Sequence, residues 1–229
     1  NAQPVGAIRS LSGNLDLSVA SSFAGQLTEK SLSNRYTLET LGLWQFTTFI
    51  GGHLPQYDLF ETRGNIPYQV PIHWWTGARV SSPRNKRVSA SLGANYGEQR
   101  GRPGPDVFVD LGVRPIDRLA FALSGQWSGS FGRPRWVAER EADAMPIFAR
   151  ATIHSVEVSL RASLAITPQL SLSSYNQLLH TTAHHTEFFE LPSPETLVSI
   201  APDDWFGIVD RGLSSLVSNT ILRWEYLPG

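Results

Sequence analysis

The stretch Arg87-Val-Ser-Ala-Ser-Leu-Gly-Ala-Asn-Tyr-Gly97 alternates strictly between two kinds of side chain. Polar or very small residues separate the apolar ones, which are Val88, Ala90, Leu92, Ala94 and Tyr96. Because successive side chains of a β-strand face opposite sides of a sheet, the pattern predicts a strand with one apolar and one polar face. A soluble antiparallel sandwich contains such strands, and so does a transmembrane β-barrel. The sequence therefore leaves two architectures to be distinguished.

Similar alternation recurs along the chain, whereas no helical periodicity of comparable strength does. We predict about eleven strands, at 13–23, 34–49, 69–81, 86–97, 106–114, 118–128, 133–140, 145–152, 155–166, 169–180 and 219–227. In the second of these, Leu41 and Leu43 interrupt the alternation. The predicted fold class is all-β, with an antiparallel sheet.

Composition excludes several classes of function. The chain has 229 residues, with 19 basic and 20 acidic side chains, so no basic field indicates a nucleic-acid partner. Only 17% of residues are charged, which is low for a soluble surface. No apolar run of about eighteen residues predicts a transmembrane helix, and the N-terminus carries no signal-peptide pattern. The last predicted strand runs into the turn signal Pro228-Gly229, so we expect an incomplete portion of a larger protein.

The predicted connections differ in length between the two ends of the sheet. Short turns at 82–86, 114–118 and 167–169 lie at one end by strand parity. Longer connections, at 51–68, 98–105 and 181–217, lie at the other, although the short connection near His154 departs from this rule. Outer-membrane barrels have short periplasmic turns and long extracellular loops. We therefore expect 1–229 to be part of a single transmembrane β-barrel domain, with the long loop 181–217 extracellular.

Aromatic residues lie on the predicted apolar faces towards strand ends. They are Trp44, Trp74, Tyr96, Trp127, Trp224 and Tyr226. The strands are about ten residues long, enough to cross a bilayer when tilted. Aromatic rings at such positions suit a girdle at the headgroup level, although large aromatics also fill the core of a sandwich.

The charged residues on the opposite faces form the most coherent set of candidate functional residues. In a barrel they would face the lumen, and they are Arg79, Arg87, Asp110, Arg114, Glu157, Arg161, Arg223 and Glu225. They could form a selectivity lining or a cross-strand network of ion pairs that solvates the interior. In a soluble sandwich the same residues would be the exposed face.

One cluster has the ligand types of a metal site. His180, His184, His185 and Glu187 lie within eight residues, and imidazole with carboxylate suits zinc or nickel. A solvated loop with no metal is the alternative, and the prediction is that the chain has no metal and no other cofactor.

No residue pattern indicates catalysis. His154-Ser155 invites comparison with a hydrolytic dyad, but adjacent strand residues point to opposite faces, so the two could meet only at a turn. The paired carboxylates Asp203 with Asp204 and Glu139 with Glu141 lie in predicted loops, where acidic residues are common. We predict no catalytic residue in this region.

Three segments in the last third carry a family resemblance. They are Val156–Tyr175 with its Thr-Pro-Gln-Leu-Ser-Leu turn, Phe188-Phe-Glu-Leu191, and Leu222-Arg-Trp-Glu-Tyr-Leu-Pro-Gly229. Together with Glu61-Thr-Arg-Gly64 and the turn at 81–86, they resemble an uncharacterised family of bacterial outer-membrane β-barrel proteins. Members typically carry a family-nine-like carbohydrate-binding domain before a long barrel. The resemblance implies the outer membrane of a Gram-negative bacterium, and carbohydrate only through a domain absent here. It carries over no catalytic residues.

The functional expectation is an outer-membrane barrel, non-enzymatic in this region, acting as a passage or surface scaffold linked to glycan or nutrient handling. Its expected partners are outer-membrane lipid and any neighbouring subunits that help to close the barrel. Two alternatives stay open: a soluble secreted β-sandwich binding module and an outer-membrane hydrolase.

Overall fold

The computed structural model describes residues 6–201 and 210–226. These residues form thirteen strands and no helix, so none of them is part of a helix that could cross a bilayer. The strands are β1 (Ile8–Ser21), β2 (Leu27–Thr40), β3 (Gln45–His53), β4 (Gln56–Asp58), β5 (Tyr68–Val70), β6 (His73–Ser81), β7 (Val88–Gln99), β8 (Arg102–Ile116), β9 (Leu119–Glu139), β10 (Pro146–Thr167), β11 (Leu170–Ser193), β12 (Thr196–Ile200) and β13 (Arg211–Trp224). The all-β prediction is confirmed.

Eleven strands form one antiparallel sheet. Nine of them follow one another in the order β1-β2-β3-β6-β7-β8-β9-β10-β11, and the other two lie beyond β11. Two strands share the far side of β11: β13 pairs with its first part, from Leu170 to Ala183, and β12 with its last part, from Phe188 to Ser193. The remaining two strands, β4 and β5, form a separate hairpin. Among the described residues β1 is an open edge on one side and β12 and β13 are open edges on the other, so the sheet is not closed on itself.

Most turns are short at both ends of the sheet, and one end differs from the other by one long connection and by longer strands. We call the end that carries the turn 82–87 the lower end, and the opposite end the upper end. The turns 41–44, 117–118 and 168–169 also lie at the lower end. The upper end carries the 54–72 connection and the projecting ends of β9, β10 and β11, which are 21 to 24 residues long. It also carries the short turns 22–26 and 100–101, so the longer connection predicted at 98–105 is wrong: most of it belongs to β7 and β8.

The predicted strand 34–49 is wrong, because the chain reverses within it. Leu43 has a positive φ of 62°, and the amide of Thr40 donates to the carbonyl of Trp44 at 2.9 Å. β2 and β3 are therefore two strands of a hairpin. Leu38 pairs with Phe46, so residues that face each other in this hairpin are an even number of positions apart. The apolar alternation therefore resumes in the same phase and gives no sign of the break.

The short strands predicted at 118–128 and 133–140 are one strand, β9, and those at 145–152 and 155–166 are one strand, β10. A β-bulge explains the first difference, because β9 has an extra residue opposite the step from Ala151 to Ile153, with Gly132 at a φ of 66°. A bulge shifts the alternation by one residue and imitates a strand end. His154 therefore lies within β10 rather than in a connection.

Most of the predicted loop 181–217 is also strand. Residues 181–193 continue β11, 196–200 form β12, and 211–217 begin β13. The connection itself is 201–210, of which 202–209 lie outside the described residues. The turn signal Pro228-Gly229 lies outside them as well.

The two faces of the sheet have opposite polarity and opposite exposure. Along β7, Leu92 is 54% exposed, whereas its neighbour Ser91 is 8% exposed and Gly93 is buried. We call the side that carries Leu92 the apolar face and the side that carries Ser91 the polar face. In a soluble sheet the apolar face is covered and the polar face is exposed. In this sheet the apolar face is the more exposed one.

Glycines on the polar face lie beneath aromatic rings. The Phe108 ring covers Gly93, and a Cβ atom added at Gly51 would lie 2.7 Å from the Trp75 ring. Because glycine has no side chain, the rings lie close to the backbone, and the polar face needs less space than the apolar one. This arrangement suits a sheet whose polar face is concave.

A strap formed by residues 54–72 confirms strong curvature. The side chain of Gln56 accepts a hydrogen bond from the Lys30 amide of β2 at 3.0 Å, and the hydroxyl of the next residue, Tyr57, donates to Glu195 beyond β11 at 2.8 Å. Seven strand spacings separate β2 from β11, which is about 34 Å in a flat sheet. The two side chains span at most roughly 26 Å. The sheet therefore curls, and the strap crosses its upper end.

The buried apolar core lies at this upper end. Tyr68 of the strap packs against Phe148 with ring centroids 4.8 Å apart, and both contact Leu191. A second cluster contains Ile147, Ala149 and Phe188. The core thus holds the strap to the projecting strands, while the lower two thirds of the sheet have no apolar core among the described residues.

Candidate functional site

The centre of the apolar face is uncovered. Leu92, Val109, Leu123 and Leu160 lie on four neighbouring strands and are 54%, 47%, 41% and 42% exposed. A sandwich would hide such side chains beneath a second sheet. The described residues contain no second layer over them, since their only other sheet is the two-stranded β4–β5 hairpin.

Aromatic residues border this apolar face at both ends. Trp74, Tyr96 and Trp127 are near the upper end, and the Trp74 and Tyr96 rings are 5.4 Å apart. At the lower end are Trp44 in its turn, Trp224 on β13, and Tyr226, whose ring is 6.1 Å from Trp224. Of the six predicted girdle residues, the structure places three near each end.

The separation of these two groups can be measured along β11. Trp224 pairs with Leu170, while Trp127 pairs with Val156, which pairs with His180. The ten-residue step from Leu170 to His180 is about 33 Å along the strand. At the tilt of about 40° that is usual in membrane barrels, this becomes about 25 Å, the height of their apolar band.

The polar face carries a compact charged network in its middle. Arg79 of β6 donates to Asp110 of β8 at 2.7 Å and to the hydroxyl of Ser91 at 2.8 Å, and that hydroxyl donates to Asp110 at 2.7 Å. The guanidinium also lies over the Phe108 ring, 5.1 Å from its centroid. Sequence analysis named Arg79 and Asp110 but missed Ser91, whose only signal was its place between them in the strand order.

The other predicted charges also lie on this face or at its lower rim. Glu157 accepts a hydrogen bond from Gln177 at 2.8 Å, and Arg161 lies over the Tyr175 ring at 5.1 Å. Arg223 forms an ion pair with Glu225, two residues further along. Arg87 and Arg114 are exposed and are joined through their backbones, the amide of Arg114 donating to the carbonyl of Arg87 at 2.7 Å.

The upper end has its own polar contacts around the strap. Glu61 accepts a hydrogen bond from the amide of Trp136 at 3.2 Å and forms an ion pair with Arg135 at 3.3 Å. In the β9–β10 turn, hydrogen bonds from Arg140 hold the pKa of the Asp143 carboxyl below its usual value. These contacts fix the strap and the adjoining turn to the projecting strands.

The structure does not bring the candidate metal ligands together. His180 and His184 lie on β11 four residues apart, about 13 Å along a strand. His180 contacts the Ser214 hydroxyl at 2.8 Å, and His184 contacts Asp210 at 2.8 Å. Glu187 instead forms an ion pair with Arg150, and His185 points to the opposite side of β11 from His184. Among the described residues no group of three or more potential ligands could hold a metal ion.

Of the candidate catalytic pairs, the structure separates His154 from Ser155. His154 lies beside the Phe131 ring on the apolar face, 5.2 Å between centroids, whereas the Ser155 hydroxyl is 2.9 Å from that of Thr181 on the polar face. Glu139 accepts a hydrogen bond from Asn65 at 3.4 Å, and Glu141 is exposed in the next turn. The pair Asp203 and Asp204 lies outside the described residues.

The site is thus one curved antiparallel sheet with an uncovered apolar face and a polar concave face. Residues 1–229 match the model of the family described as Domain of unknown function (DUF5916), and the chain belongs to that family. No curated protein and no solved structure matches the chain.

Proposed function

We propose that this sheet is part of the wall of an outer-membrane β-barrel in a Gram-negative bacterium. In this proposal the region is non-enzymatic and serves as a passage or surface scaffold linked to glycan or nutrient handling. The observation that carries it is the exposure of Leu92, Val109, Leu123 and Leu160 in the middle of the sheet. Each such half-exposed side chain would gain roughly 1 kcal/mol from transfer out of water, and a bilayer supplies that environment without a second protein layer.

Three further features support a membrane wall. The aromatic groups at the two ends are spaced like the girdles of a membrane barrel. Strands β9, β10 and β11 project beyond the level of the upper aromatic group, at the end that also carries the 54–72 strap, like the extracellular parts of such barrels. The polar face carries a satisfied network around Arg79, as expected of a lumen wall.

The open edges of the sheet require further strands to close a barrel. Unpaired backbone groups of β1 and β13 would be costly in hydrocarbon, so each edge must pair with a further strand of this protein or with a neighbouring subunit. The strap would narrow the extracellular mouth, since it runs from β2 to the end of β11. The link to glycans rests on the companion domain of the family that the sequence resembles, and carbohydrate would be bound there.

The proposal is tested with full-length protein extracted from membranes in detergent. A barrel is expected to need detergent for solubility and to migrate differently on a gel before and after heating. Protein that folds in detergent-free buffer, with identical migration in both samples, would instead indicate a soluble sandwich. Hydrolysis of lipid or glycan that is lost on replacing His154 or Ser155 would indicate the hydrolase.

A further inference from the structure

A hollow of about 420 Å³ lies on the polar face near its lower end. Its floor is one continuous row of paired residues from β7 to β13: Ser89, Gly112, Ala122, Arg161, Tyr175 and Asn219. Because the first three residues of this row, Ser89, Gly112 and Ala122, are small, no large side chain fills the space above them. The hollow therefore lies over these small residues and beside the long side chains of Arg161 and Tyr175.

Three cations line this hollow: Lys86, Arg114 and Arg161. Within the described part of the chain, the side chains of Lys86 and Arg114 have neither an ion pair nor a hydrogen bond, and Arg161 has only its stacking on Tyr175. Stacking fixes the plane of the guanidinium and leaves its N–H donors available. The serine hydroxyls and the Asn219 amide of the lining add neutral donors.

No carboxylate lines the hollow. The nearest along β8 is Asp110, two residues above Gly112, and it is already neutralised by Arg79 at 2.7 Å. Glu225, at the lower end, is paired with Arg223. Asp117 lies in the turn below, outside the lining. The charged side chains that line the hollow are therefore all cationic.

From this arrangement we infer that the hollow binds an anionic group, carboxylate or phosphate, of a small solute. Arginines and lysines that line a pore select anions and phosphates, and arginine binds either group with two parallel hydrogen bonds. The consequence for transport rests on the proposed function: a passage with this lining favours anions over cations. The binding site itself needs only the polar face.

The binding test uses full-length protein in detergent and the double variant Arg114→Gln/Arg161→Gln. Arg118→Gln is the matched control, because Arg118 lies in the adjacent turn and outside the lining. Titration of inorganic phosphate, followed by phosphorus NMR, is expected to give a Kd at least about tenfold higher for the double variant and unchanged for the control. Competition of bound phosphate by acetate then separates a site for carboxylates from one for phosphates alone.

The transport test uses the same proteins in planar bilayers with a potassium chloride gradient. The natural protein is expected to show a reversal potential on the anion side, and the double variant one shifted towards the cation side. Unchanged phosphate affinity in a double variant that keeps its heat-modifiable migration would overturn the inference. Phosphate binding that depends on the two arginines, without any conductance, would support the site and overturn the proposed passage.

Discussion

Placing an arginine at different depths of the apolar face distinguishes lipid from water as its surroundings. Val109 lies midway along the face, level with its partner Leu92, whereas Val88 is the first residue of β7 beside a lower turn. The two valines are similarly exposed, 47% and 56%. Val88→Arg is therefore a matched control for Val109→Arg.

The expected magnitudes follow from the surroundings. In water, a half-exposed valine contributes at most roughly 1 kcal/mol of apolar burial, so both substitutions should cost about the same. In a bilayer, arginine costs about 2–4 kcal/mol at the midplane and about 0–1 kcal/mol near the interface. The membrane account therefore predicts a difference of about 2 kcal/mol between the two variants, with Val109→Arg the less stable.

The assay is urea unfolding of the full-length protein in phospholipid vesicles, with the folded fraction read from heat-modifiable gel migration. The free energies of unfolding are compared from the midpoints at a common slope. If the two variants were destabilised equally, within about 0.5 kcal/mol, the reasoning that places lipid on this face would be refuted.

Three further perturbations test the polar face, the strap and the β13 edge. Gly93→Ala places a methyl group against the Phe108 ring and should lower the free energy of unfolding by about 1–3 kcal/mol, measured by urea unfolding. Tyr57→Phe removes the hydrogen bond to Glu195 and should make the strap more sensitive to limited proteolysis. The pKa of Asp210 is lowered because His184 of β11 donates a hydrogen bond to its carboxylate. The contribution of this carboxylate to stability is therefore present above about pH 4 and is lost as the pH falls further. Below that pH, hydrogen exchange should detect loosening of the upper end of β13.

Each of these three has a contradicting outcome. The packing argument fails if Gly93→Ala has the same free energy of unfolding as the natural protein and if adding Phe108→Leu to that variant does not change this free energy. The strap argument fails if Tyr57→Phe is cleaved at the same rate and the same bonds as the natural protein. The edge argument fails if Asp210→Asn exchanges like the natural protein at neutral pH, since that variant lacks the charge at every pH.

The sequence predicted the positions and faces of strands best where a strand has one covered and one uncovered face. The alternation from 88 to 97 matches β7 and its two faces, 106–114 lies within β8, and 169–180 begins one residue before β11 and covers its first part. A period of two is informative there because the faces meet different surroundings.

The errors have equally physical causes. The reversal near Leu43 preserved the phase of the alternation, and the bulge at Gly132 shifted it. In the upper part of β10, Ile147 and Phe148 are both buried on opposite faces, so the alternation disappears although the strand continues. Part of the candidate site could not be predicted for a related reason. The hydrogen bonds of Ser91 and the unpaired state of Arg114 depend on neighbours from other strands, and spacing along the chain does not reveal those neighbours.

The most direct measurement of the central claim uses spin labels at single cysteines, because residues 1–229 contain no cysteine. Labels at Leu92→Cys and Ser91→Cys are compared in full-length protein in native membranes, with oxygen and a water-soluble nickel chelate as relaxing agents. We predict that the label at 92 relaxes with oxygen and not with the chelate, and that the label at 91 relaxes with the chelate. Equal access of the chelate to both labels would contradict the account.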